Sequence, residues 1–313
     1  MSWLILAFLS ATLLGFYDVC KKKALQSNAV LPVLFLNTLF CSLIFLPVAL
    51  RPDVPFGGWA VQRYIVGKSL IVLASWICGY YGMKHLPLTL VGPINATRPV
   101  LVLLGALLVF GERLNLYQWV GVVLAILSFY MLSRSGKREG IDFRHNRWIL
   151  LTVLAAVFGA VSGLYDKYLM ASVETGGVGL NRMTVQSYYN FYQCLIMGVM
   201  LKVLHRPQSG QEENAVAQSH RTRGSLFPAS LRGKGLGWVL LVSLFLSAAD
   251  FAYFYALSMP GAMISVVSMV RRGSVVVSFA VGAMVFRERN LRSKAVDLAL
   301  VLLGMLFLYL GTK

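Results

Sequence analysis

The sequence predicts an all-α integral membrane protein of ten transmembrane helices, arranged as two inverted five-helix repeats. Three observations predict it. Hydrophobic residues make up 58% of the 313 and charged residues only 13%, against about half and about a quarter in soluble domains; mean hydropathy is +0.70. The apolar residues gather in ten long runs joined mostly by short links. The second half then repeats, in order, the polar landmarks of the first.

A helix needs roughly 17–25 apolar residues to cross the hydrocarbon core. The runs that meet this need are 3–20, 30–50, 64–83, 89–110, 117–133, 148–170, 183–204, 237–258, 262–286 and 293–310. Backbone groups in lipid must be paired internally, and runs this continuous suit helices, not alternating barrel strands. The first run lacks the basic lead-in and cleavage pattern of a secretory signal; Lys21, Lys22 and Lys23 follow it instead. One long link, 205–236, is rich in Gln, Ser, Gly and Arg and reads as a flexible basic loop. Cys20, Cys41, Cys78 and Cys194 lie in or beside apolar runs without clustered spacing, so neither disulfides nor a zinc site is expected.

The repeat is read from five matches. Gly15-Phe16-Tyr17-Asp18 corresponds to Gly163-Leu164-Tyr165-Asp166 at an offset of 148, and Asn37 and Cys41 to Asn190 and Cys194 at 153. His85-Leu86-Pro87 corresponds to Ser258-Met259-Pro260 at 173, and the same offset carries Arg98 onto Arg271. Phe110-Gly111-Glu112-Arg113 corresponds to Phe286-Arg287-Glu288-Arg289 at 176. The offset grows in steps, as loop insertions produce. The first repeat spans 1–134 and the second 148–311, with the 205–236 loop inside the second. Five runs per copy is an odd number, so the second copy crosses the membrane upside down, an arrangement suited to alternating access with a site near the midplane.

Ten runs in a 5+5 duplication, each copy closing on an acidic element (Phe110-Gly111-Glu112-Arg113-Leu114 and Phe286-Arg287-Glu288-Arg289-Asn290-Leu291) before a final run, resemble the EamA family of the drug/metabolite transporter superfamily. The resemblance covers essentially the whole chain, and it implies a bacterial inner-membrane location. The Arg271-Arg272 pair also looks like the basic pair in the ninth helix of the related sugar-phosphate/phosphate translocators, departing from it by placing Arg first where they carry Lys.

Arg98 and Arg271 each lie about ten residues into a run, ~15 Å from its end, which is near the bilayer midplane. An arginine there costs at least about 2.5–3.5 kcal/mol, so it normally faces a cavity and meets an anion. With Arg272 they read as a site for a carboxylate or phosphate; the alternative is internal ion pairs with Asp250, Asp18 or Asp166. Asp250, mid-run among Phe251, Tyr253, Phe254 and Tyr255, reads as the resting partner of Arg271 or Arg272, or as a proton-exchanging group. Asn37 and Asn190 either bond substrate or bond a neighbouring helix. Tyr188 belongs to an aromatic run that either lines the cavity or packs at the interface. Asp18 and Asp166, each preceded by Tyr17 and Tyr165, suit gating or counter-ion roles, or are exposed helix-end carboxylates. Pro93 and Pro99 bracket Arg98 and permit a kink. Glu112-Arg113 and Glu288-Arg289 read as helix terminators that pair with the opposite bundle.

No GxxxxGK[ST] cradle, HExxH or metal-spaced His cluster occurs; His85, His145, His205 and His220 fall in or near loops. No cofactor and no enzymatic activity are expected. The net charge of +17 would suggest nucleic acid in a soluble protein. Here nineteen of the 29 basic residues fall in or near one set of alternate links and six, Lys68 among them, in or near the other. The richer set is expected in the cytoplasm, which puts both termini outside, and the expected partners are a small solute and membrane lipids. The expectation is a secondary transporter of a small polar, anionic or zwitterionic metabolite, with a proton as the candidate coupling ion. The alternative is a non-transporting membrane protein, a lipid-handling enzyme or an accessory subunit.

Overall fold

The computed structural model describes residues 2–52, 54–110, 114–137, 140–143, 145–204, 234–259, 267, 270–288 and 290–311. Its helices are α1 (Ser2–Gln26), α2 (Val30–Ala49), α3 (Gly58–His85), α4 (Leu88–Ala96), α5 (Arg98–Phe110), α6 (Leu116–Lys137), α7 (Arg147–Met170), α8 (Arg182–Leu204), α9 (Lys234–Ser258), α10 (Ser274–Phe286) and α11 (Leu291–Leu310). Among the described residues there is no strand. The fold is all-helical, as the continuous apolar runs require.

Among the described residues, eight helices are long and apolar enough to cross a membrane: Trp3–Gln26, Val30–Ala49, Gly58–His85, Leu88–Gly105, Leu116–Lys137, Arg147–Met170, Gly235–Tyr253 and Leu291–Leu310. Two of the ten expected runs are not among them. The seventh is a helix of 23 residues, α8, but Gln186, Ser187, Asn190, Gln193 and several tyrosines dilute its hydropathy. The ninth is continuous only over the 13 residues of α10, and 260–266, 268 and 269 lie outside the described residues. So do 205–233, which hold most of the expected basic loop, and Glu112, Arg113 and Arg289.

Sidedness of the residues is reversed relative to a soluble protein. Ile5, Phe8, Leu43, Leu70, Ile126, Leu195 and Met284 face outward, while Ser10, Asn37, Gln62, Lys68, Gln193, Asp250 and Lys294 are buried. A surface of this kind is stable only against lipid.

Helices then associate without a hydrophobic drive, through close packing and polar contacts. α1 packs chiefly on α9, α3 on α7, α6 on α11 and α2 on α8. Glycines set the closest approaches. A Cβ on Gly121 of α6 would fall 2.8 Å from the Gly304 carbonyl oxygen of α11, and one on Gly15 of α1 would fall 2.5 Å from Val277 Cβ of α10.

Links between helices are fastened by charge. α1 extends past the expected end of its run, so Lys21 and Lys22 are buried in its last turns. Lys22 Nζ donates to the carbonyls of Met83 and Leu86, both at 2.6 Å, where α3 ends. The next helix begins against the opposite charge. The Glu288 carboxylate accepts from the amides of Leu88 at 2.7 Å and Thr89 at 3.0 Å, and from the Thr89 hydroxyl. Cation on the carbonyl end and carboxylate on the amide end each oppose the helix dipole they meet. Glu288, expected to end its own run and pair with the opposite bundle, caps the start of α4 from the other half of the chain.

Candidate functional site

The site forms where two helices break. Pro99 has no amide hydrogen to return to the preceding turn, so the fourth run separates into α4 and α5 at Thr97, whose hydroxyl donates to the Ile94 carbonyl at 2.7 Å. Arg98 opens α5. In the ninth run Gly273 separates helical residues 270–272 from α10, its amide donating to the Val270 carbonyl at 2.9 Å. Arg272, beside the second break, lies within electrostatic range of both Arg98, beside the first, and Arg271.

The three arginines are not equivalent. Arg271 pairs through Nη2 with Asp250 Oδ1, and its guanidinium carbon lies 4.5 Å from the centroid of the Tyr253 ring. The other oxygen of Asp250 accepts from Gln186 Nε2 at 3.0 Å, and the same amide lies 3.2 Å from the Tyr189 hydroxyl. Among the described residues Arg98 has only neutral partners, Asn95 Oδ1 and the Ala155 carbonyl oxygen, both at 3.3 Å, and its Nε is buried with none. It lies against Gly159, where a Cβ would come within 2.7 Å of the guanidinium carbon. Arg272 is exposed although protein encloses it, the combination expected of a side chain lining an internal cleft. Among the described residues no carboxylate lies within ion-pair distance of Arg98 or Arg272.

Residues 1–134 match the model of the EamA-like transporter family. An uncharacterized transporter of Archaeoglobus fulgidus is 23% identical over 137 residues, 43% of this chain and 49% of its own. A second, of Pseudomonas aeruginosa, is 31% identical over 130 residues, 37% and 42% of the two chains. The match thus spans half or less of each of those relatives. The probable 4-amino-4-deoxy-L-arabinose-phosphoundecaprenol flippase subunit ArnE of Pectobacterium atrosepticum is 33% identical over 87 residues, which are 28% of this chain and 72% of its own. The chain belongs to the EamA-like transporter family. One solved crystal structure shares the fold from end to end, covering 97% of this chain and 99% of its own with a TM-score of 0.57 at 14% identity.

Other expected residues of this EamA-like chain fall around the arginines to different degrees. Asp18 binds Lys21 at 2.8 Å and lies, with Tyr17, within electrostatic range of Arg98; Lys21 Nζ sits 4.2 Å from the Tyr17 ring centroid. Asp166 pairs instead with Lys68 of α3, and Tyr165 donates to the Tyr64 carbonyl at 3.2 Å. Asn37 accepts from Ser243 of α9 at 2.9 Å. Asn190 donates to the Gln186 carbonyl at 3.0 Å within α8, and its own carbonyl accepts from Ser42 of α2 at 3.0 Å. The Asn37 amide therefore joins α2 to α9, whereas the Asn190 amide bonds within α8. Tyr188 packs edge-on against Phe56, centroids 5.7 Å apart.

Lys68 corrects one reading. Counted from sequence among link residues, it is buried well inside α3. Its signal was the apolar Ile65, Val66 and Leu70 around it. Gln186, which orients Asp250, also escaped notice, because a neutral amide near the start of a run is not anomalous.

Proposed function

We propose that this chain is a secondary transporter that moves a small anionic or zwitterionic metabolite, a carboxylate or phosphate compound, by alternating access between two inverted five-helix repeats. One observation carries the reading: Arg98 and Arg272 lie at two helix breaks within electrostatic range of each other, with no carboxylate within ion-pair distance among the described residues. Unneutralised cations at membrane depth are costly, and an anion bound between them offsets that cost through paired guanidinium hydrogen bonds.

The packing pattern supports the inverted repeat and the count of ten crossings. Exchanging each run with the one five places along turns the α1–α9 contact into the α7–α3 contact, and the α2–α9 contact into α8–α3; the α2–α8 and α6–α11 contacts map onto themselves. Gly15 lies against Val277 and its counterpart Gly163 against Val102. A two-fold axis between such halves lets the same cleft open to either side.

The direct test is flux in liposomes holding purified protein, screened across amino acids, organic acids and phosphorylated sugars. We expect Arg98→Ala and Arg272→Ala each to reduce uptake tenfold or more; unchanged flux in both removes the site. The named activity of the ArnE relative favours one second reading, an anionic lipid-linked headgroup as cargo. Translocation of a fluorescent undecaprenyl-phosphate analogue, with no soluble anion moved, decides for it.

A further inference from the structure

We propose that Asp250 is the proton site of the transporter: it holds Arg271 while the site is empty, and it takes up a proton when an anion claims that arginine. The inference rests on the anion-binding reading above and extends it, the anion between Arg98 and Arg272 also engaging Arg271, which lies within electrostatic range of Arg272. Asp250 alone among the described carboxylates pairs with one of the three clustered arginines. It is 7% exposed, and its two oxygens are divided between a cation, Arg271 Nη2, and a neutral amide, Gln186 Nε2.

That division matters. An anion approaching Arg271 competes with Oδ1 for the same guanidinium, while the Gln186 contact on Oδ2 keeps the carboxyl group in place. Two anions then share one cation in a medium of low polarity, and neutralising the carboxylate relieves the repulsion. The groups facing Asp250 allow it. α8 presents Gln186 and Tyr189, and α2 presents Cys41, in electrostatic range. α1 presents Ser10, whose hydroxyl binds the adjacent Ala249 carbonyl at 2.7 Å. Among the described residues Arg271 is the one cation within ion-pair distance of Asp250; Lys68 lies 5.1 Å from the Tyr189 ring but is paired with Asp166, so no second direct partner keeps Asp250 ionised once Arg271 is taken.

The step balances simply. One proton from water adds to the Asp250 carboxylate as one anion binds Arg271; the arginine stays charged, and no bond of the cargo forms or breaks. Proton and anion then move together.

Sulfate is the probe, because it does not titrate between pH 5.5 and 7.5. Binding to purified full-length protein is measured by calorimetry at both values, with proton uptake followed by a pH dye. Wild type is expected to bind sulfate more tightly at pH 5.5, approaching tenfold per pH unit where one proton accompanies each anion, and to take up protons on binding. Asp250→Asn is expected to bind tightly at both values with no proton uptake. Wild-type binding that is independent of pH, without proton uptake, overturns the proposal and leaves the anion site standing. So does an Asp250→Asn protein that keeps the wild-type pH slope. Absence of sulfate binding at either pH overturns the anion site itself. The wild-type proton measurement decides even if the variant does not fold.

Discussion

A single buried charge is worth examining through what happens when its partner leaves. Lys68 is 6% exposed and pairs with Asp166 across the α3–α7 interface. Asp166→Asn leaves an ammonium buried without its counter-ion, which costs on the order of 3 kcal/mol, so the melting temperature in detergent should fall. Adding Lys68→Met should recover much of the loss, because the uncompensated charge is then gone. A double variant as unstable as the single one would mean that the pair does not carry the coupling. The same logic explains what was legible at this scale. Arg98, Arg271, Arg272 and Asp250 stood out because a charge inside an apolar run conflicts with its solvent. Asn37 and Asn190 stood out equally, yet each satisfies backbone or hydroxyl groups of its own or a neighbouring helix. Polarity at depth marks a residue as constrained and does not say by what. Tyr188 was ambiguous for another reason: consecutive aromatics point around the helix, and only packing decides which one faces inward.

At the scale of elements, caps and crossings fix the architecture. Glu288 supplies the acceptors for the first amides of α4, and charge-assisted bonds of this kind are worth about 1.5–3 kcal/mol. Glu288→Ala should lower thermal stability by about 2 kcal/mol, whereas Arg292→Ala, in the exposed-to-intermediate first turn of α11, should change it little. Equal loss in both variants would remove the cap as the cause. The α6–α11 crossing makes a sterner case. Gly121→Ala places a methyl 2.8 Å from a backbone oxygen and 2.7 Å from Leu308, so the helices must part, at a cost of about 1–3 kcal/mol; melting curves in detergent should show it. The breaks at Thr97 and Gly273 were only half legible. Proline announces a lost hydrogen bond, so the first break could be expected near Pro99, but a glycine inside an apolar run carries no such instruction.

For the whole molecule, composition and run length were enough to reveal a helical membrane protein, because lipid leaves the backbone no alternative. Run counting was less secure, since α8 spends its hydropathy on groups that face other helices. Orientation is a separate property, carried by the basic links. With Lys68 placed inside α3 and Lys294 inside α11, each side loses a positive charge and the expected bias is left in place. A reporter active only in the cytoplasm, fused after Lys313, should stay silent; activity there would reverse the assignment.

The cap on α4 also places a condition on time. Glu288 lies 200 residues beyond the amide it satisfies, and ribosomes add roughly 5–20 residues per second. For something like 10–40 seconds after α4 emerges, its first amides must be answered by water or by another protein. The first half of the chain therefore waits, incompletely bonded, for a residue that has not yet been made.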